Sequence, residues 1–339
     1  MVSDSTHNIS IKDIARVAGV SIATVSRVLN NKGGYSAETK MRVKAVCDQY
    51  GFISNMSAKT LRESRSNTIG LILPSILNPY YSSIAYYIEL FLSEHGYSLL
   101  ICNSDNSAEK EMANFRTLVG KQVDGVLMIS GRNETEEYIM SRSIPVVFID
   151  RKPGKSVDIP CICSDNIYTG ILVTEHLISR GCRHIAFVNG SHSGFNRKER
   201  SRGYLQALER HNIKADMNYL IKYKDNEPVQ FASEVAMYDF LQEGFPLDGV
   251  VASSELCAAG VLAALNRMNI PIPEKVKVIT FDNTPYSLLM NPPLSSVERN
   301  TKIMAEKACS VLLGFINGKQ PDQYIQIIPS SLVLRRSTE

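Results

Sequence analysis

Residues 21–30 combine small hydroxyl side chains with one long cation, a set of groups that suits contact with DNA. Ser21 can cap a helix in which Val25, Val28 and Leu29 point inward. The opposite face of that helix then presents Ile22, Ala23, Ser26, Arg27 and Asn30. Such a face fits the major groove, where an arginine can pair with the edge of a guanine. An ordinary helical hairpin, with Arg27 as a solvated surface charge, is the alternative interpretation.

The flanking residues predict the elements that would position this face. Ser10 followed by Asp13 is typical of a capping box, apolar residues then recur at helical spacing, and Gly19 supplies a sharp turn. A short helix, a glycine turn and a second helix form the helix-turn-helix pattern. Ser36 predicts the start of a third helix that ends near Tyr50 and closes a small three-helix core.

Two stretches of this region, Gly19-Val20-Ser21 and Thr24-Val25-Ser26-Arg27-Val28-Leu29-Asn30, resemble the headpiece of the lactose-repressor (LacI/GalR) family. The resemblance implies a DNA-binding headpiece at residues 8–53 in which Arg27 reads a base. Ile22 and Ala23 occupy positions that vary among family members, and both can contact a thymine methyl group. The residues expected to bond phosphates and set the register are Ser21, Thr24, Ser26, Asn30 and Ser36.

Residues 54–67 form the next segment, a short helical pattern followed by a polar run. A helix this short is marginal in water, so a partner must hold it. In the family the matching segment is a hinge helix, and two copies lie in the minor groove of the operator. The resemblance places Asn55, Ala58 and Lys59 at the DNA and makes Leu61 the apolar wedge that unstacks a base step. A plain flexible linker is the alternative interpretation.

From Thr68 onward, short apolar strands alternate with helices, which predicts parallel sheets with right-handed crossovers. Two sets of strands predict two α/β sub-domains, or lobes, that face a cleft. This pattern resembles the periplasmic sugar-binding-protein fold, which the repressor family also uses. The predicted strands are 69–73, 98–101, 125–129 and 145–149 in the first lobe and 184–188, 248–252 and 276–281 in the second.

The core, residues 68–339, is therefore expected to contain effector binding and dimerisation. We expect the chain to cross between lobes near Cys163-Ser164, near Asn291-Pro292-Pro293 and near Gln320-Pro321. The expected division is residues 68–163 plus 294–320 for lobe one and residues 164–291 plus 322–335 for lobe two. No heptad tail follows Arg335-Arg336-Ser337-Thr338, which favours a homodimer over a tail-tethered tetramer.

Several side chains follow predicted strands at the end where a ligand would bind. Aromatic rings can stack on a sugar, while carboxylates and arginines can bind its hydroxyl groups. Strand-end carboxylates such as Asp105 and Asp150 can instead cap loops. The resemblance assigns effector binding to Arg200, three residues before Gly203-Tyr204, and to Asp282. The full set of candidates is Asn78, Tyr80, Tyr81, Asp105, Asp150, Arg200, Ser254 and Asp282.

One pair of residues departs from the family pattern. Ser254-Glu255 stands ahead of Ala258-Ala259-Gly260, where the family usually has Asn-Asp. Serine is shorter than asparagine, and glutamate is longer than aspartate. A role for Glu255 as a first-turn charge of its helix is therefore the alternative to ligand contact here.

Charge is concentrated at one end of the chain. Residues 1–65 contain ten Lys and Arg against five Asp and Glu, whereas the whole chain has a net charge of +3. A basic head on a near-neutral body suits phosphate attraction at that end. No apolar run reaches membrane-spanning length and no apolar signal segment opens the chain, so we expect a cytoplasmic protein without a membrane partner.

The sequence has no pattern typical of catalysis or of a metal site. Its seven cysteines lack metal-ligand spacing, so we expect no disulfide, no metal and no cofactor. P-loop, G-x-S-x-G and H-E-x-x-H motifs are absent. A sugar-modifying enzyme would need such a motif or a catalytic dyad, and a secreted sugar-binding protein would need a signal segment and no basic head.

These observations predict a transcriptional repressor that is not an enzyme. We expect a homodimer on a pseudo-palindromic, double-stranded DNA operator, with Leu61 at its centre. A small effector in the cleft (a sugar, sugar phosphate or nucleoside) would modulate its affinity for DNA. A solute-binding protein without a role at DNA is the alternative function.

Overall fold

The computed structural model describes residues 9–29, 32–52, 65–129, 133–151, 159–190, 194–224 and 227–339. The chain divides into two compact units, residues 1–66 and residues 67–339. None of the helices in these described ranges combines the length and the apolar character needed to cross a membrane.

The first unit contains the helices α1 (Ile11–Ala18), α2 (Ile22–Leu29) and α3 (Ala37–Gln49). The Ser10 hydroxyl accepts from the backbone N–H of Asp13, whose carboxylate accepts from the backbone N–H of Ser10, so the predicted capping box is present. Gly19 ends α1 at φ +66°, a left-handed conformation that glycine adopts readily. The three helices bury Ile14, Val25 and Val43 against one another.

The second unit begins with lobe one, whose strands and helices alternate as predicted. Its elements are β1 (Thr68–Leu73), α4 (Pro79–Glu94), β2 (Ser98–Asn103), α5 (Ala108–Gly120), β3 (Gly125–Met128), α6 (Asn133–Met140), β4 (Val146–Ile149) and β5 (Cys161–Cys163). The sheet is completed late in the chain by β11 (Ile325–Ile327), in the order β11-β5-β4-β3-β1-β2.

Lobe two repeats this architecture. Its elements are α7 (Asn166–Ser179), β6 (Ile185–Gly190), α8 (Phe195–Arg210), β7 (Leu220–Tyr223), α9 (Val229–Gln242), β8 (Gly249–Ala252), α10 (Glu255–Arg267), β9 (Lys277–Phe281), α11 (Pro285–Leu289), β10 (Ser295–Glu298) and β12 (Ser331–Val333). The strand order is β12-β10-β9-β8-β6-β7, and only β12 runs antiparallel to its neighbour among these pairs. The helix α12 (Thr301–Ile316) packs in the core of lobe one.

Two of the three crossings between lobes were predicted too early in the chain. Ser295–Glu298 pairs with β9 and therefore belongs to lobe two, so the second crossing follows Glu298. Ile325–Ile327 pairs with β5 in lobe one, so the third crossing follows Ile327. The prolines near 292 and 321 that suggested the crossings lie in loops before these strands. Strand β10 also begins with two serines, which hid its apolar pattern.

Candidate functional site

The second helix of the first unit presents the predicted DNA-binding face to solvent. Ile22 is 46% exposed, and Ala23 and Arg27 are exposed beside it. The Ser21 hydroxyl accepts from the backbone N–H of Thr24 at 3.1 Å and lies 2.9 Å from the Thr24 hydroxyl. The capping bonds therefore fix the start of α2 and leave Ile22, Ala23 and Arg27 facing outward.

Ser36 repeats this arrangement at the start of α3, where its hydroxyl accepts from the backbone N–H of Thr39 at 3.1 Å. Ser26 lies half-buried on α2. Five predicted contact residues lie outside the described ranges, and their DNA contacts stay predictions: Asn30, Asn55, Ala58, Lys59 and Leu61.

Four buried charged side chains meet at the carboxyl ends of the strands in the core. Asp150 follows β4 of lobe one and Asp282 follows β9 of lobe two, both with positive φ. Arg299 lies on the second crossing and donates one Nη to each carboxylate, with 3.0 Å between its Nη1 and Asp282. Arg200 reaches the same Asp282 at 3.8 Å. Because the four residues are at most 6% exposed, these ion pairs are shielded from water.

Arg200 is placed by the packing of α8 on α7. A Cβ atom at Gly203 would lie 2.1 Å from the carbonyl oxygen of Ile167, so only glycine allows this approach. The guanidinium donates to the Asn166 carboxamide at 3.1 Å and to the Ser253 carbonyl at 2.8 Å. It also stacks over the ring of Phe281 at 4.2 Å. These contacts fix the plane of the guanidinium beside Asp282.

Burial dominates the electrostatics of this cluster. It raises the pKa of Asp282 to about 7, an effect that Arg200 opposes and that the carboxylates of Glu255 and Glu298 increase. Burial also lowers the pKa of Arg299 and raises the pKa of Tyr80. The two arginines stabilise the ionised aspartate, since removal of either would leave a buried carboxylate short of a partner.

Asn196, on α8 of lobe two, makes a direct contact across the cleft. Its Nδ2 donates to the Asp150 carbonyl at 2.7 Å and to the Asp150 carboxylate at 2.9 Å. Asn196 lies one helical turn before Arg200, so both side chains leave the same face of α8.

The aromatic candidates lie beneath the cluster. Tyr80 is 2% exposed, its ring lies 4.2 Å from the Arg299 guanidinium, and its hydroxyl faces the Met304 sulfur at 3.7 Å. Tyr81 is half-buried and meets Tyr80 edge to face at 5.5 Å. Tyr80 therefore supports the guanidinium instead of offering an open stacking face.

Three other candidates make local bonds. The Asn78 carboxamide accepts from the backbone N–H of Tyr80 at 3.0 Å and caps α4. The Ser254 hydroxyl accepts from the backbone N–H of Cys257 at 3.3 Å and caps α10. Asp105 is exposed and bonds Lys110 at 2.5 Å. These hydrogen bonds of the three side chains are therefore local to their own loops and helix starts.

Glu255 holds the turn that carries Asp282. It is 3% exposed and accepts from the backbone N–H of Thr284 at 2.7 Å, from the Thr284 hydroxyl and from the Ser287 hydroxyl. Arg335, near the end of the chain, donates to Asn283 at 2.6 Å. Ser337 fixes this end of the chain, since its hydroxyl donates to a carbonyl of β9 at 2.6 Å.

A cavity of 260 Å³ lies beside the second crossing. Residues of both lobes line it, among them Tyr87, Asp282, Thr284, Glu298 and Lys302. Asp282 thus lines this cavity and also contacts Arg299.

Sequence reasoning missed Arg299 and Asn196, because their partners are 149 and 46 residues away along the chain. The only local signal was that Asn196 and Arg200 are one turn apart.

Comparison with known proteins identifies the family. Residues 10–55 match the profile "Bacterial regulatory proteins, lacI family", and residues 174–338 match the "Periplasmic binding protein-like domain". The ribose operon repressor of Halalkalibacterium halodurans is 31% identical over 97% of this chain and 97% of its own length. The chain belongs to the LacI family.

Solved structures of two regulators share this fold. The transcriptional regulator CelR in complex with cellobiose is 26% identical, covers 97% of this chain and 99% of its own, and has a TM-score of 0.73. The lac repressor dimer bound to operator and the anti-inducer ONPF has a TM-score of 0.85 at 24% identity, with 97% of this chain and 99% of that chain covered. This LacI-family chain is a DNA-binding transcriptional repressor with a periplasmic-binding-protein-like core.

Proposed function

We propose that this repressor acts as a homodimer on a pseudo-palindromic operator and that a sugar-like effector in the cleft changes its affinity for DNA. The effector proposal rests on the ion pairs by which Arg299 joins Asp150 of lobe one to Asp282 of lobe two, where Arg200 also pairs with Asp282. Carboxylates and guanidinium groups are the side chains that bind sugar hydroxyls. The cellobiose in the CelR complex supports a sugar as the effector.

DNA recognition is proposed to divide between two parts of the chain. Arg27 on the exposed face of α2 reads a base in the major groove, and the capped hydroxyl residues near it bond phosphates. Two hinge segments, residues 54–67 of each protomer, lie at the operator centre with Leu61 as the wedge. Two heads related by a two-fold axis require two half-sites in inverted orientation.

Exposed apolar side chains on both lobes support the homodimer. Leu77 is 85% exposed and Ile101 is 47% exposed in lobe one, while Phe231 is 57% and Leu289 78% exposed in lobe two. A second copy that covered these side chains would remove their apolar surface from water. A second copy of the chain that covers both lobes would hold two headpieces together.

The effector acts by a change in the angle between the lobes, which moves the two hinge segments together or apart. The marginal hinge helix orders when its partner is near and melts when it is not. Such a ligand shifts the equilibrium only by its difference in affinity for the two states, typically ~1–3 kcal/mol of coupling.

A gel-shift assay tests this function. The full-length protein is titrated onto promoter DNA of its own gene and of neighbouring genes, with a random duplex of the same length as control. Sugars, sugar phosphates and nucleosides are then added in turn. We expect tight binding to an inverted repeat that one of these compounds changes, and equal affinity for operator and random duplex contradicts the proposal.

A further inference from the structure

Asp150 belongs to lobe one, yet its carboxylate is bonded by donors from outside that lobe. One Nη of Arg299, on the second crossing, donates to Oδ1, and Nδ2 of Asn196, in lobe two, donates to Oδ2 at 2.9 Å. Asn196 also donates to the Asp150 carbonyl at 2.7 Å. Both Asn196 bonds must break, or be replaced, if Asp150 moves away from lobe two.

Arg299 is itself attached to both lobes. Its second Nη donates to Asp282 of lobe two at 3.0 Å, and its guanidinium lies over the ring of Tyr80 of lobe one at 4.2 Å. With 1% of its surface exposed, Arg299 is one of the largest fully buried side chains in the described residues. The guanidinium therefore fills the space between the two strand-end carboxylates.

From these contacts we infer that Asp150, Asn196 and Arg299 form a latch in which the protein's own side chains hold the two lobes together across the cleft. This inference rests on the proposed function, because it concerns the site assigned there to the effector. The effector reaches Asp150 only by taking the carboxylate from Asn196 and Arg299. These two residues thus set the effector's affinity through competition.

Electrostatics explain why the latch holds. A carboxylate that is 2% exposed needs hydrogen-bond donors, and separating the lobes would leave Asp150 without those of Asn196. Removing one partner of a buried ion pair is costly because the other charge stays buried and uncompensated. Opening is therefore unfavourable until water or a ligand supplies replacement bonds.

The same chemistry limits what can displace the latch. The incoming molecule must donate hydrogen bonds to Asp150 and accept them from the released guanidinium, and a polyol does both. Asn196 Oδ1 and Arg299 Nε are buried and have no hydrogen-bond partner among the described residues. Once the lobes separate, a polyol can bond this acceptor and this donor without replacing an existing hydrogen bond of either atom.

Single-molecule energy transfer between the lobes tests the latch. Dyes are placed through unnatural amino acids at the exposed positions Glu94 of lobe one and Lys214 of lobe two, in full-length protein without DNA or ligand. The variants are Asn196→Ala, Arg299→Gln and both together. Gln206→Ala is the matched control, because it removes a carboxamide from the exposed side of the same helix.

We expect wild type and Gln206→Ala to show one closed population. Each latch variant should raise the ratio of open to closed molecules about tenfold or more, since a hydrogen bond to a charged group contributes a factor of that order. The double variant should raise the ratio further. Thermal melting of each variant verifies that it folds. If Arg299→Gln does not fold, Asn196→Ala by itself still tests the latch.

An unchanged open-to-closed ratio in folded Asn196→Ala, and in the double variant where that variant folds, would overturn the latch. The measurement needs neither operator nor effector, so a failed gel-shift assay does not alter its result. Conversely, the open-to-closed ratio could stay unchanged in the latch variants while the effector still changes operator affinity in the gel-shift assay. That result would contradict the latch but not the proposed function.

Discussion

Glu255 holds Thr284 through two hydrogen bonds, one to its backbone N–H at 2.7 Å and one to its hydroxyl group. The first residue of α10 is thereby tied to the turn after β9, two residues beyond Asp282. Here the longer side chain has a structural role, because a carboxylate at this position reaches the turn instead of the cleft. Ser254 thus caps α10, and Glu255 holds the turn that carries Asp282.

Glu255→Ala should reduce the free energy of unfolding by about 2–4 kcal/mol, because it leaves buried donors of Thr284 and Ser287 unsatisfied. Urea denaturation of the full-length protein measures the change. Glu209→Ala, at an exposed position near the end of α8, should change it by less than about 0.5 kcal/mol. Equal effects of the two substitutions would show that Glu255 does not hold the turn.

Arg27→Ala should weaken operator binding by about 1–3 kcal/mol and relax the preference at one base pair in each half-site. The reason is the loss of a bidentate contact to a guanine edge. Gel shifts on operators with each base substituted measure both effects. Arg210→Ala, the same substitution at an exposed position of lobe two, is the control. An unchanged operator affinity of Arg27→Ala would exclude base reading by Arg27.

Leu61→Ala should weaken binding to the operator more than binding to random DNA, because only the specific complex requires a kinked central step. Affinities for both duplexes are measured at the same salt concentration, since phosphate contacts make both salt-dependent. Equal losses on the two duplexes would show that Leu61 is not a wedge.

Asp282→Asn should abolish the response to the effector in a protein that still binds the operator. Asparagine keeps the size of the side chain but loses the charge that pairs with Arg200 and Arg299. The assay is the operator gel shift with and without the compound panel. Asp105→Asn changes an exposed residue in the same way and is the control, which should keep a normal response to the effector. A normal response of Asp282→Asn would show that Asp282 is not part of the effector site.

Leu77→Lys combined with Leu289→Lys should convert the protein to monomers, because a charge at the centre of an apolar contact is left without a partner. Analytical ultracentrifugation measures the mass. Met217→Lys, at another exposed apolar residue, is the matched control. A dimer that survives the double substitution would place the interface elsewhere.

The features that were predicted best from the sequence are those that depend on residues close together in the chain. Ser10, Gly19 and Ser36 act within one helical turn, so their capping and turn roles could be predicted from spacing. The alternation of apolar strands and helices likewise predicted two parallel sheets.

Contacts between distant residues could not be predicted in this way. Arg299 and Asp150 meet only because the second crossing passes the end of β4, and that crossing lies later than the prolines suggested. Tyr80 was expected to face the ligand, but the helical phase of α4 turns its ring into the core of lobe one. The side-chain direction on a helix depends on which neighbour it packs against, and spacing does not specify that neighbour.

The final turn of the chain has a practical meaning for handling the molecule. Ser337 and Thr338 are at most 1% exposed, and Arg335 bonds the residue next to Asp282. A label or substitution placed between Arg335 and Thr338 would therefore disturb the support of the turn that carries Asp282. Attachment chemistry for a binding assay belongs at exposed positions such as Lys214 instead.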